Sequence, residues 1–573
     1  MSINKKTIIT LILFLGIIII FGIPFTTWWF NGDDFHGLFL AYKTTTWHDL
    51  LNFFYEGHTN VGIGPSNAVG TLERSTFLGT YYRPLYCIFL TLQYWLFGTN
   101  AYPYFLCNIV FHAFNTALLF IIFSKLTGLF PALLAALLFA AHPQIAYRFG
   151  AIVNFHYYVN VALVLLTLLA FKKYLDTNYQ RYNALACTLF ALSLFTRESS
   201  IVLPGIAFIG AYLYLYPYEE LSVIHHLKNF PTMLSKVAGL AGTGVTFLIL
   251  RLYLYPFTPL PPSSSNTSWL LKKIPELKVF IFDLFSLSWL PWGQPVLRGT
   301  LLLACISFFA WLFFHNTRKR YVFGAFLCGL LMLWPALAGP YSPRYFYESY
   351  PFFLLSFILC CIFYTGKLTK FKKSLLTLLS CFVIFNIFFV LHSFARRTTK
   401  HHQLAQATHK LVTNPAIKNR ALCFVGHPLD GFGEQNAAIF WILLNDPTIP
   451  IFFDSATAIM QADANIVQPT KWANIVSAYH DKNYYTTTPV SGGFRFTSTD
   501  PEKVYFLAEH VGYSLGTTII HEKKIINGQN IVTDFTLLLD EQYIKKSPIF
   551  IRWDFETKKF LLINHDRAIP EMS

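Results

Sequence analysis

Asp33 and Asp34 stand side by side in Asn31-Gly32-Asp33-Asp34-Phe35, a few residues beyond an apolar run that ends at Trp28 and Trp29. A carboxylate can take a proton from a substrate hydroxyl as a general base, and a pair of them suits a divalent metal site. The plain alternative is a polar turn that caps a helix. Gly32 permits a tight turn ahead of the pair. Neighbouring residues of a turn point in different directions, so one of the two is expected to face a substrate. Asp34, which leads into Phe35 and His36, is the preferred base.

Four arginines recur in similar settings: Arg83 in Tyr81-Tyr82-Arg83-Pro84, Arg148 after Tyr147, Arg197 in Thr196-Arg197-Glu198-Ser199, and Arg344 in Ser342-Pro343-Arg344-Tyr345. A guanidinium can grip a phosphate through two parallel hydrogen bonds. Converging, these arginines and Tyr82 would hold the pyrophosphate or phosphodiester of a lipid headgroup. Singly, each reads as an interfacial anchor, and Arg197-Glu198 reads as a self-paired turn. His142, in His142-Pro143, and His156, in Asn154-Phe155-His156, flank Arg148. Together with Glu198 they complete the list of candidates; a lone histidine would more often be structural. No metal-ligand spacing occurs, and no cofactor is implied beyond a divalent ion that the aspartate pair would suit. Walker, GxGxxG, HExxH and GxSxG motifs are lacking in any supporting context.

The elements that must carry these residues are membrane helices. The chain has 573 residues, 54% hydrophobic, 18% aromatic and only 13% charged. Soluble domains carry about 25% charged residues. The apolar excess lies in residues 1–394 as runs close to the ~20 residues that cross the hydrocarbon core. Eleven helices are expected, near 7–24, 103–123, 129–142, 152–171, 183–196, 200–216, 236–254, 297–314, 322–338, 349–365 and 374–394. The net charge of +15 then belongs to loop lysines and arginines, not to a nucleic-acid surface. Eight of the nine cysteines lie in apolar runs and only Cys423 lies outside them, which is no disulfide framework.

Lys5/Lys6, Lys125, Lys172/Lys173, Lys228, Arg318/Lys319/Arg320 and Lys367/Lys370/Lys372/Lys373 fall on one side under this count. The positive-inside rule makes that side cytoplasmic, with the N-terminus inside and the tail outside. All the site candidates then collect on the outer side, where a long loop (25–102) precedes the second helix. The short runs 84–97 and 279–291 are expected to lie at the outer surface, because a span at 84–97 would invert every later basic loop before 279. Ionisable groups at membrane depth are costly and mark function by default. Residues 395–573 have an ordinary soluble composition. ALCFVGHP, VYFLAEH, IVTDFTLLL and SPIFIRWDF read as strands and NAAIFWILLND as a helix. The expected architecture is mainly α: a polytopic helical bundle (1–394) followed by a small soluble α/β or α+β domain (395–573).

The ordered set YYRPL (81–85), FHAFN (111–115), LFAAHP (138–143), TRESSIVLP (196–204) and SPRYFY (342–347) resembles the GT-C class of membrane glycosyltransferases. The likeness is to the protein O-mannosyltransferase-like branch, which includes the transmembrane and tetratricopeptide-repeat enzymes. It covers roughly residues 7–365. It implies a polyprenyl-phosphate sugar donor, a first-loop aspartate as base (Asp33 or Asp34) and arginines at the lipid phosphate (Arg83, Arg344). Many relatives carry a second acid where this chain has His156, and no such repeats follow here, so the protein acceptor of that branch does not carry over. The implied reaction moves a sugar to a hydroxyl of a lipid, glycan or protein on the periplasmic or lumenal face, with inversion. A bacterial inner membrane, with a periplasmic tail, fits the compact loops. The alternatives are a transporter or flippase of glycolipid precursors, which predicts midplane charges and internal repeats, and a non-catalytic scaffold that presents the tail.

Overall fold

The computed structural model describes residues 5–30, 33–56, 61–63, 72–74, 82–216, 223–254, 280–281, 284, 295–316, 318–338, 346–363, 369–425, 433–446, 448–449, 451–453, 459–461, 485–490, 493–498, 504–507, 517–521, 524–526, 529–532, 534–539, 548–554 and 557–563. Its helices are α1 (Lys5–Gly22), α2 (Asp33–Lys43), α3 (Trp47–Glu56), α4 (Pro84–Phe97), α5 (Ala101–Thr127), α6 (Leu129–Ala140), α7 (Phe155–Thr177), α8 (Gln180–Thr196), α9 (Leu203–Leu215), α10 (Val223–Leu254), α11 (Pro295–Phe314), α12 (Lys319–Ala338), α13 (Phe346–Ile362), α14 (Thr369–Val412) and α15 (Gly433–Leu444). A helix overlaps each of the eleven expected ranges among the described residues. Among the described residues, six segments are long and apolar enough to cross a membrane: Lys5–Phe25, Ala101–Thr127, Ile152–Thr177, Glu198–Leu215, Phe230–Leu254 and Thr377–Ala395. Leu11, Ile12, Ile19, Ile249, Ile384 and Phe388 point outward from these segments. Lipid suits such a surface and water does not, and the chain is an integral membrane protein.

The described part of the long first loop holds three helices, α2, α3 and α4. The aspartate pair, expected in a turn, opens α2 instead. Acidic residues belong in a first helical turn, where unpaired N–H groups and the helix dipole favour negative charge. α3 starts in a reciprocal cap: Asp49 accepts from the Thr46 N–H (2.9 Å) and returns its own N–H to the Thr46 hydroxyl (3.1 Å). Proline opens α4 at its first position, as its missing N–H allows. The buried side of α4 carries Cys87, Leu90 and Thr91. Of the run 279–291, only 280, 281 and 284 are described.

Polar ties sort the bundle into two ends. The Lys6 ammonium donates to the Ile121 carbonyl at 3.2 Å, so α1 begins beside the last turns of α5. Lys236 donates to Asn178 at 2.7 Å, binding α10 to the α7–α8 turn. The Asn316 amide donates to the Leu359 and Cys360 carbonyls, binding the α11–α12 turn to the end of α13. This is the basic end. The starts of α4, α7 and α13 and the ends of α8 and α10 form the other end, which carries the site candidates.

Rings make the close contacts near that second end. Phe25 meets Phe394 of α14 at 4.8 Å between centroids and Phe105 of α5 at 5.5 Å. A Cβ on Gly150 would lie 2.8, 2.9 and 3.0 Å from three atoms of the Trp28 ring. Only hydrogen fits there. Gly150→Ala is expected to destabilise the bundle by about 1–3 kcal/mol, read as a lower thermal midpoint in detergent. An unchanged midpoint would mean that the indole swings aside freely.

α14 is one helix of 44 residues, and the composition change at 395 falls within it. Beyond it lie β1 (Leu422–Val425), β2 (Ile451–Phe453), β3 (Ile549–Asp554) and β4 (Lys559–Ile563). They form one sheet in the order β4-β3-β1-β2, with β1 parallel to both β2 and β3 and β4 antiparallel to β3. The ring of Phe424 in β1 packs against that of Phe440 in α15, with centroids 4.5 Å apart. Further antiparallel strands occur within 459–539.

Candidate functional site

Asp34, expected to face a substrate, is instead fully buried in the first turn of α2, and its carboxylate accepts the Val153 N–H at 3.3 Å. Val153 belongs to a tight turn, Ile152–Asn154, that leads into α7. The loop before it is pinned from α5, where the Asn108 amide donates to the Phe149 and Ala151 carbonyls at 3.0 and 3.1 Å. α2 comes this close because Gly37 has no side chain: a Cβ there would lie 2.8 Å from Leu90 Cδ2, 3.4 Å from Val153 Cγ1 and 3.6 Å from the Tyr86 hydroxyl. Asp33 is the first residue of the same helix.

The Val153 peptide also reaches His156. Its carbonyl lies 2.7 Å from His156 Nδ1, and Arg197 Nη1 lies 3.3 Å from His156 Nε2. A guanidinium can only donate. His156 therefore accepts at Nε2, carries its proton on Nδ1 and donates to Val153. The N–H and the carbonyl of one residue thus link the aspartate to a histidine held in a defined tautomer. The Tyr86 ring packs on the same imidazole at 4.7 Å.

Arg197 and Glu198, adjacent in sequence, do not form the expected self-paired turn. Arg197 takes an extended backbone conformation (φ −162°) and Glu198 starts a 3-10 turn, so the side chains diverge. Arg197 forms an ion pair with Glu348 of α13 at 2.9 Å, both side chains almost completely buried (3% and 1% exposed). It also stacks on Tyr157, 3.9 Å from the ring centroid. Glu348 accepts from Asn160 (2.7 Å) and Ser199 (2.9 Å), and the Asn160 oxygen accepts from Ser193 and Ser200, both at 3.0 Å. A buried ion pair held this fully is an internal strut. It does not support the expectation that Arg197 binds a lipid phosphate.

Glu198 turns to the other side. Its carboxylate accepts the Tyr82 N–H at 2.6 Å and lies 3.6 Å from both Arg83 Nη2 and Arg251 Nε. This group is open where the strut is closed: Glu198 is 24% exposed, Arg83 15% and Arg251 17%. Tyr82 is buried, and its hydroxyl donates to the Phe54 carbonyl of α3 at 3.0 Å. Sequence reasoning does not single out Arg251, although a lone arginine in the last turn of an apolar helix is a visible signal. Glu348 and Asn160 carry the same signal as isolated polar residues in apolar helices.

The remaining candidates separate. His142 is buried between Phe346 and Tyr350 of α13, at 5.0 and 4.5 Å between centroids, in a different setting from His156. Arg148 lies half-buried in the Tyr147–Gly150 turn, and its carbonyl accepts from Asn154. Arg344 lies outside the described residues. Behind these groups His112 and Asn115 of α5 meet the Tyr347 hydroxyl at 3.1 and 2.9 Å, an interhelical tie. Among the described residues no group of three His, Cys, Asp or Glu side chains is arranged to hold a metal ion.

No family model matches the chain, and no curated protein does. Among solved structures it is similar to ArnT from Cupriavidus metallidurans in the apo state, with TM-score 0.41 and 11% identity over 77% of this chain and 85% of that one. It is also similar to the same protein bound to undecaprenyl phosphate, with TM-score 0.39 and 11% identity over 84% of this chain and 96% of that one. A third is the Archaeoglobus fulgidus oligosaccharyltransferase tethered with an acceptor peptide containing the NVT sequon, with TM-score 0.36 and 10% identity over 85% of this chain and 74% of that one.

Proposed function

We propose that this protein is a membrane glycosyltransferase that moves a sugar from a polyprenyl-phosphate donor to an acceptor hydroxyl. The observation that carries the reading is that one end of the bundle holds both Asp34 and the open Arg83–Glu198–Arg251 group. Arg83 stands at the N-cap of α4, three residues before Tyr86, and the Tyr86 hydroxyl borders Gly37 of α2. A proton acceptor and a cationic pair therefore lie on adjoining elements. The acceptor has to reach the buried Asp34 carboxylate, which takes the proton of its hydroxyl, and the acceptor oxygen attacks the anomeric carbon. The bond from that carbon to the phosphate oxygen breaks, the phosphate leaves with the electron pair, and attack from the opposite face inverts the centre. Arg83 and Arg251, both paired with Glu198, stabilise the charge gathering on the phosphate. The end bearing the site faces the periplasm or lumen and the basic end faces the cytoplasm, which puts the N-terminus inside and the tail outside. A bacterial inner membrane fits this arrangement. The order of the motifs in sequence supports the same class.

The test has two parts. Lipid extracts of cells lacking the protein should accumulate a polyprenyl-phosphate sugar and lack one glycan, which would identify both substrates. In vitro, Arg83→Lys and Arg251→Lys should each raise the donor KM about 10–100-fold, since a charged hydrogen-bonded contact contributes about 1.5–3 kcal/mol and an ammonium cannot reproduce the guanidinium fork. An unchanged donor KM in both variants would leave the arginines as mere partners of Glu198.

A further inference from the structure

α2 has two working faces. Gly37 lies against Leu90 and Val153, whereas Phe39, two residues on and about 200° around the helix, meets Trp441 of α15 at 5.3 Å between centroids. One turn later the Tyr42 hydroxyl donates to Asn445 Oδ1 at 3.2 Å. The chain leading into α2 is held from the same side, with Trp29 6.1 Å from His409 of α14 and 5.8 Å from Phe35. The receiving surface is rigidly built. Trp441 is fully buried and donates its indole N–H to the Ile449 carbonyl at 2.8 Å. The turn after α15 is closed by the Asp446 N–H on the Trp441 carbonyl (3.1 Å) and by Thr448 on the Asp446 carboxylate. By contrast α2 has eleven residues. Isolated helices under about 12–15 residues are marginal, so α2 takes its position from what it packs against.

We propose that the C-terminal domain is a brace for the transfer site, with Trp441 as a positioning residue that presses α2 onto the Ile152–Asn154 turn and so sets the place of the Asp34 carboxylate. This rests on the reading of Asp34 as the base. The domain acts through α2 and touches neither donor nor acceptor. Displacing a reacting group by about 1 Å can cost about 10²-fold in rate.

The full-length protein in lipid nanodiscs provides the test, with Trp441→Ala and Trp441→Phe compared by hydrogen exchange and by steady-state transfer. Trp441→Ala should speed amide exchange across residues 33–43 and leave α7 and α8 protected. It should lower kcat up to about 10²-fold with the donor KM unchanged, and Trp441→Phe should restore most of both. If Trp441→Ala does not fold, Tyr42→Phe, which removes one hydroxyl contact, should move exchange and kcat in the same direction by a smaller amount. Unaltered exchange in α2 in the folded variants would overturn the brace. So would a change confined to the acceptor KM, which would make the domain a recruiting module. Faster α2 exchange in a protein that transfers no sugar would instead sustain the brace and remove the assignment of the reaction.

Discussion

Asp34→Asn is expected to lower turnover about 10²–10⁴-fold, the usual contribution of a general base, while donor binding and the folded state survive. Asparagine keeps the shape of the side chain, and its oxygen can still accept the Val153 N–H that holds Asp34 at 3.3 Å. The ability to take a proton is lost, and nothing in the Arg83–Glu198–Arg251 group changes. The measurement is single-turnover transfer from a lipid-phosphate sugar, beside a direct donor-binding assay. Asp33→Asn is the natural control, because it alters the same helical turn. Near-full turnover in both variants would sink the mechanism. Loss of folded protein with Asp34→Asn would reassign the carboxylate as a structural cap that joins α2 to the Ile152–Asn154 turn.

Arg197→Met should destabilise the protein by about 3–5 kcal/mol, the expected cost of stranding one member of a buried ion pair. Glu348 would keep its bonds from Asn160 and Ser199 but lose the cation 2.9 Å away. Glu348→Leu should cost a comparable amount for the reciprocal reason, since Arg197 cannot shed its proton. The double variant Arg197→Met/Glu348→Leu should recover much of the loss, because two apolar side chains leave no uncompensated charge. Thermal midpoints of the four proteins form a double-mutant cycle. Strictly additive losses would mean that the two groups do not depend on one another.

The helices were legible because each apolar run carries its own length signal, and polar residues inside such runs stand out. That is how Asp34, Arg83, Arg197, Glu198 and His156 could be marked from the sequence alone. Their partners could not. Glu198 meets Tyr82 across 116 residues, and Arg197 and Glu198 diverge because one extended residue separates a helix end from a 3-10 turn. Spacing carries no trace of such pairings. His142 and His156, close in sequence, part for the same reason: a folded turn lies between them. The start of α2 was hidden differently. Gly32-Asp33-Asp34 satisfies the chemistry of a turn and of a helix N-terminus alike, and packing against Leu90 and Trp441 decides between them.

The unbroken α14 acts as a ruler. Its 44 residues span about 66 Å at 1.5 Å each. The apolar stretch of 19 residues accounts for about 28 Å, close to the hydrocarbon thickness. The polar turns that follow set how far along the helix axis the chain runs before it enters the β-sheet. They also fix its azimuth, since every residue of a helix adds a rotation of about 100°. The number of residues between Ala395 and Val412 is therefore a phase setting, and only particular lengths of this segment bring Trp441 round to face Phe39.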